Sequence, residues 1–203
     1  MSETAPVVSV VDDDPSVRRA IKRLISSVGL HVQVFPSGQE LLKSKNLGEP
    51  GCLILDIRLP GISGLDFQKN LAESDIHLPV IFITAHGDIT MAVRAMKAGA
   101  IEFLTKPFRD QDLLDAIQVA LEKDRARRRQ KAEITVVLER LESLTTRERE
   151  VIGMVVKGML NKEIASKIGV TENTVKVHRS RALQKMQAHS LADLVRMVAK
   201  AQS

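Results

Sequence analysis

Three apolar runs in this chain stop at reactive side chains. Val7-Val8-Ser9-Val10-Val11 ends at Asp12 and Asp13, Cys52-Leu53-Ile54-Leu55 at Asp56, and Pro79-Val80-Ile81-Phe82-Ile83 at Thr84; a fourth stretch, Ile101-Glu102-Phe103-Leu104, leads to Thr105, Lys106 and Pro107. Brought together, Asp12, Asp13 and Asp56 repel one another and require a cation. An all-oxygen donor set with no His or Cys beside it favours Mg2+ over zinc. Such a metal draws in a phosphoryl group, and ionised Asp56 is then the nucleophile that forms an aspartyl phosphate. Lys106 and the Thr84 hydroxyl supply the charge and hydrogen bond for the phosphoryl oxygens. The chemistry is phosphoryl transfer by positioning and charge neutralisation.

Short continuous apolar runs bounded by polar residues read as parallel strands buried on both faces. In an open α/β sheet the carboxyl edge of such strands is the ligand-binding edge. Each acid also has a plainer reading. Asp13 or Asp14 before Pro15 suits the start of a helix, where Pro is favoured at the first position. Thr84 alone is a strand-end hydroxyl and Lys106 alone a solvated charge, so the phosphoacceptor reading rests on the combination. The Asp-x-Asp pattern of a dedicated phosphatase is missing at Asp56, because Arg58 stands at the second position.

The Asp12-Asp13 pair, the loop Asp56-Ile57-Arg58-Leu59-Pro60-Gly61-Ile62-Ser63-Gly64, Thr84-Ala85 and Lys106-Pro107-Phe108 together resemble the receiver domain of two-component response regulators. The resemblance covers residues 1–122 and implies an α/β doubly wound (βα)5 fold in which Asp56 accepts phosphate from a sensor histidine kinase. It also implies that Asp13, Asp56 and the Arg58 backbone carbonyl bind Mg2+ directly while Asp12 acts through water. In receivers, phosphate draws in the residue matching Thr84 and an aromatic turns inward; Phe103 holds that switch position. Phe in place of the commoner Tyr has no hydroxyl to satisfy when buried.

Charge separates the two halves. Residues 1–122 carry 12 Lys and Arg against 16 Asp and Glu, whereas residues 123–203 carry 18 against 9. That asymmetry directs the second half toward nucleic acid, with a solvated basic face as the plainer reading. With no Trp or Tyr and five Phe, base stacking is a poor mode and single-strand binding is disfavoured. Cys52 is the only cysteine, so no internal disulfide forms, and its apolar setting reads as a buried small hydrophobe. No signal peptide and no apolar stretch near the ~20 residues of a membrane span are evident. The expected location is cytoplasmic, away from the membrane.

Residues 123–142 read as a charged helical linker, since no Pro or Gly occurs from Arg109 to Leu144. Residues 143–203 then read as short helices. Thr145 or Thr146 with Glu148 marks a helix start, Asn161 suits the cap of a helix over Lys162 to Ile168, Gly169 ends it, and Thr171 opens the next. Helix, short turn with Gly, and second helix is helix-turn-helix spacing. On a helical wheel, Val175, His178, Ala182 and Met186 face inward, while Asn173, Lys176, Val177, Ser180, Arg181 and Gln184 face outward. Lys176 can reach guanine and Val177 a thymine methyl, whereas Arg179 and Arg181 suit phosphate.

Leu144 to Val151, Asn161 to Ala165 and Thr174 to Arg179 resemble the LuxR/FixJ-type DNA-binding domain, and both halves together resemble the FixJ branch of the NarL/FixJ response regulators. The small all-α domain this implies binds double-stranded DNA through Thr171, Asn173, Thr174, Lys176, Val177, Arg179, Ser180, Arg181 and Gln184. Ser180 departs from the Lys of some relatives. The resemblance further implies a phosphorylation-controlled transcription regulator, an activator that forms a homodimer and engages RNA polymerase. Two alternatives stand beside it: a constitutive DNA binder with a phosphorylation-independent receiver, and a Mg2+-dependent aspartyl-phosphate phosphatase, for which no residue positions the attacking water.

Overall fold

The computed structural model describes residues 5–201 apart from 45, 46, 75 and 86. The chain divides into two compact units, Met1–Arg127 and Arg128–Ser203. In the first, strands β1 (Val7–Val11), β2 (His31–Phe35), β3 (Gly51–Asp56), β4 (Val80–Thr84) and β5 (Glu102–Thr105) form one parallel sheet in the order β2-β1-β3-β4-β5. The order turns back at β1, so the ends of β1 and β3 flank the topological switch point, the crevice that parallel sheets offer to ligands.

Alternation along the strands explains why both faces are apolar. Cys52 and Ile54 of β3 point into a core shared with α1 (Pro15–Ser27) and the first turns of α5 (Asp110–Glu142), through Ile21, Ile25, Leu113, Ile117 and Ala120. Leu53 and Leu55 point the other way, into a core closed by α2 (Gly38–Leu42), α3 (Gly64–Glu73) and α4 (Ile89–Lys97) through Leu41, Phe67, Leu71 and Ala95. A fully buried side chain of this size is worth about 1.5–3 kcal/mol, so the sheet is held rigidly from both sides. Burial, with the Asp124 charge adding to it, pushes the Cys52 thiol up to about 12, and it stays protonated.

Register brings the reactive residues side by side. Val11 pairs with Leu55, which sets Asp12 beside Asp56; Asp56 pairs with Ile83, one residue before Thr84; and Thr84 pairs with Thr105, one residue before Lys106. A slip of one residue in a strand would exchange the side chains that fill the two cores and carry its terminal polar residue out of line with its neighbours, so the site inherits the precision of the packing.

Helix α5 runs unbroken from Asp110 to Glu142. Within the expected linker, buried Asp124 accepts a hydrogen bond from the Gly51 backbone N–H at 3.0 Å and so packs with the first unit. Further along, Val137 joins the core of the second unit. That unit also contains α6 (Thr146–Val156), α7 (Asn161–Ile168), α8 (Glu172–Met186) and α9 (Leu191–Ala201). Thr145 and Glu148 form a capping box at the start of α6, and Gly169 ends α7 with the left-handed φ of 69° that favours glycine. The expectation that Asn161 caps α7 is corrected: Leu160 is the cap residue, its N–H bonded at 2.8 Å to Glu163, and Asn161 is the first helical residue. Its side chain is engaged elsewhere, as described below.

Candidate functional site

At the carboxyl edge of the sheet, carboxylate oxygens of Asp12, Asp13 and Asp56 lie within 4.8 Å of one another. Asp12, Asp56 and Thr84 are buried and Asp13 is exposed, so the cluster opens to solvent on the Asp13 side. The Lys106 ammonium sits 2.6 Å from Oδ2 of both Asp12 and Asp56. The remaining oxygens are also occupied: Asp12 Oδ1 accepts from the Asp14 N–H and Asp56 Oδ1 from the Arg58 N–H, each at 2.9 Å. Burial pushes the Asp12 carboxyl above its ordinary range, against the opposing pull of Lys106. For Lys106, burial acts downward but the hydrogen bonds to Asp12 and Asp56 prevail, and its pKa is raised. The pocket thus contains a firmly charged ammonium between two acids.

The loop after Asp56 is folded tightly. Arg58 bridges to Ser63, and the Gly64 N–H bonds the Ile57 carbonyl at 2.8 Å. A Cβ at Gly64 would lie 2.6 Å from the Asp56 carbonyl oxygen, so only glycine allows α3 to start this close to Asp56. Asp14 caps α1 by accepting from the Ser16 N–H at 2.7 Å, which leaves Asp12 and Asp13 as the cluster acids. Phe103 is half-buried against the second core, and its ring is so close that a Cβ at Gly87 would meet Cε1 at 2.9 Å.

In the second unit, α8 buries Val175, Ala182 and Met186 and leaves Asn173, Lys176, Val177, Ser180, Arg181 and Gln184 exposed along one face. His178 is half-buried on the inner side. Thr171 caps the helix by accepting from the Thr174 N–H at 3.2 Å, and the two hydroxyls are 2.9 Å apart. Arg179 donates to Asn161 Oδ1 at 2.7 Å, so the side chain that would have capped α7 ties α7 to α8. Buried Glu148 accepts from Lys185 at 2.7 Å and from the Thr145 N–H at 2.9 Å, and these bonds, the Lys185 one foremost, hold its carboxyl below the usual range.

Residues 8–118 match the response regulator receiver domain, and residues 142–198 match the domain of bacterial regulatory proteins of the luxR family. This chain is a response regulator with a LuxR-type DNA-binding domain. The response regulator is 50% identical over 196 residues to nodulation protein W of Bradyrhizobium diazoefficiens, spanning 97% of this chain and 86% of that protein. It is 41% identical over 197 residues to the transcriptional regulatory protein FixJ of Azorhizobium caulinodans, spanning 97% and 93% respectively. The solved structure of the response regulator StyR superposes with a TM-score of 0.85 at 46% identity, covering 97% of this chain and 100% of StyR. The enzyme alternative gives way to this membership of the response regulators.

Some supporting residues of the response regulator escape a linear reading. Arg18 donates to the Asp12 backbone carbonyl at 2.5 Å from the first turn of α1. Asp124 continues the inward spacing of Ile117 and Ala120 but lies in a run of charges that hides it. The signal for both would have been position on the wheel rather than residue type.

Proposed function

We propose that Asp56 accepts a phosphoryl group from the phosphohistidine of a sensor histidine kinase, and that this modification controls how α8 reads double-stranded DNA. The observation that carries the reading is Asp56 at the end of β3, with a lysine ammonium at 2.6 Å and two further acids within 4.8 Å. Three carboxylates with no nitrogen or sulfur donor fit a hard divalent cation. Asp13, Asp56 and the Arg58 backbone carbonyl would hold Mg2+, with Asp12 acting through water. When bound, Mg2+ offsets the repulsion among the carboxylates and the incoming phosphoryl oxygens.

An Asp56 oxygen attacks phosphorus in line with the P–N bond of the phosphohistidine. That bond breaks, its electron pair returns to the kinase imidazole, and an acyl phosphate is left on Asp56. Lys106 moves from its two carboxylates to a phosphoryl oxygen, and the Thr84 hydroxyl donates to another. Withdrawal of Thr84 and inward rotation of Phe103 reshape the surface around Asp88 to Gly99 and Ile101 to Arg109, shifting a pre-existing equilibrium. The consequences we assign are homodimer formation and tighter DNA binding. Lys176, Val177 and Ser180 face bases, Thr171, Asn173, Thr174 and Gln184 complete the contact face, and Arg179 and Arg181 lie toward phosphate. The output is transcription activation through RNA polymerase in the cytoplasm, with the receiver over residues 1–122, the linker over 123–142 and the DNA-binding domain over 143–203.

Intact-mass measurement after incubation with Mg2+ and acetyl phosphate tests the phosphoacceptor. One phosphate adduct is expected on the wild type, lost in EDTA and absent from Asp56→Asn. An adduct of equal yield on Asp56→Asn would remove Asp56 from the role.

A further inference from the structure

The face of α8 that we assign to DNA is anchored from its far end. Helix carboxyl termini expose unsatisfied carbonyls carrying partial negative charge, and cations placed there are stabilising. Helix α8 ends at Met186 and is capped by Gln187, a non-glycine residue with φ 53°. There the Arg140 guanidinium donates from one terminal nitrogen to the Met186 carbonyl at 3.2 Å and from the other to Gln187 Oε1 at 2.5 Å. Arg140 belongs to the last turn of α5, and that terminus is capped in return. Arg149 donates to the carbonyls of Leu141 and Glu142 at 3.2 and 3.4 Å, and Lys185 of α8 reaches the Ser143 carbonyl at 3.3 Å. Beneath the junction, Val137, Leu144, Ala182 and Met186 share one buried cluster. Two helix ends that would leave carbonyls competing for water are therefore capped by cations drawn from across the junction.

We propose that Arg140 is a positioning residue for DNA recognition: by holding the carboxyl end of α8, it sets the pose in which the exposed face meets the base edges. The inference rests on α8 being the reading helix. Its logic is one of leverage. Met186 lies six residues beyond Ser180, about 9 Å along a helix axis, so a tilt released at the anchored end displaces every side chain on the reading face. Base-edge hydrogen bonds are directional and lose from such a shift, whereas phosphate contacts tolerate it. Arg140 itself is half-buried and its guanidinium is already engaged by two acceptors, which separates it from the exposed Arg181.

The test uses the full chain, a duplex selected from a random pool by the wild type, and an unrelated duplex of equal length. For Arg140→Ala, affinity for the selected duplex should fall roughly tenfold, affinity for the unrelated duplex should hold, and the slope of log K on log salt should be unchanged. Arg140→Lys, which keeps a single donor group, should recover part of the loss. Gln187→Gly separates positioning from stability. Glycine is at ease with a positive φ, so its thermal midpoint should match or exceed that of the wild type, yet it lacks an Arg140 acceptor and should bind the selected duplex more weakly.

Wild-type discrimination between the two duplexes in Arg140→Ala would overturn the proposal. So would a slope reduced by about 0.9, the mark of a lost phosphate contact, or Gln187→Gly binding as the wild type does. Lys176→Ala is the companion control. If it binds as the wild type does, the assignment of α8 as reader fails, a result distinct from failure of the Arg140 anchor.

Discussion

The two units solve opposite problems. In the receiver, the reactive groups are far apart in sequence and come together only because Asp12, Asp56, Thr84 and Lys106 end four neighbouring strands. They are largely buried, and their charges are set against one another. In the DNA-binding unit, the residues we assign to DNA contact lie on one 15-residue helix and its amino-terminal cap, most of them facing solvent, while the parts drawn from elsewhere are supports: Arg140, Glu148 and Asn161. The chemical site is thus inseparable from the fold, whereas the recognition face is separable from it and vulnerable through its supports.

That contrast makes distinct demands on variants. The largest effect on stability is expected from Lys106→Ala, which leaves Asp12 and Asp56 facing each other without their shared ammonium. Removing one partner of a buried charge set costs about 3 kcal/mol, and added Mg2+ should restore much of it by binding the folded state. Urea unfolding with and without Mg2+ measures both. The second unit should show no Mg2+ effect, and an equal response in both units would erase the distinction.

Next comes Gly64→Ala. Its Cβ would press on the Asp56 carbonyl oxygen, for which overpacking costs about 2 kcal/mol, and phosphate uptake should slow because the loop following Asp56 must shift. Lys176→Ala should weaken binding to the selected duplex by about 1–2 kcal/mol while leaving the thermal midpoint unchanged. That pairing of lost binding with retained stability is what a separable face requires.

The smallest effect is a matter of pH. Glu148 has a folded pKa held below its ordinary 4.5, chiefly by the hydrogen bond from Lys185. Its contribution to stability is complete above 4.5 and is lost as pH falls through the lower folded value. Thermal midpoints of the second unit measured downward from pH 6 should therefore decline more steeply for the wild type than for Glu148→Gln.

Legibility in the sequence follows the same division. Strand-end residues could be read because a continuous apolar run announces a buried parallel strand, and a polar residue at its end announces the edge. The outward face of α8 was legible too, since Val175, Ala182 and Met186 are apolar at helical spacing and buried. What the sequence concealed were bonds between distant elements. Asn161 has the right chemistry for a local cap, but Arg179 competes for its side chain from another helix. Asp124 stands between Lys123 and Arg125 like a solvated charge, yet it is buried against the Gly51 N–H. Arg140 looks like one more cation in a charged linker until its two acceptors are seen. Local pattern reveals which face is buried; it does not reveal which polar group on another element will claim a side chain.

The account stands on a link between Asp56 and DNA. The measurement is the affinity of the full chain for its selected duplex, at one salt concentration, before and after incubation with Mg2+ and acetyl phosphate, for the wild type and Asp56→Ala in parallel. Tighter binding by the phosphorylated wild type alone, with Asp56→Ala unresponsive, is the predicted result. Equal affinity in all four samples, with phosphate demonstrably on the wild type, would contradict it and leave a DNA-binding protein that ignores its own receiver.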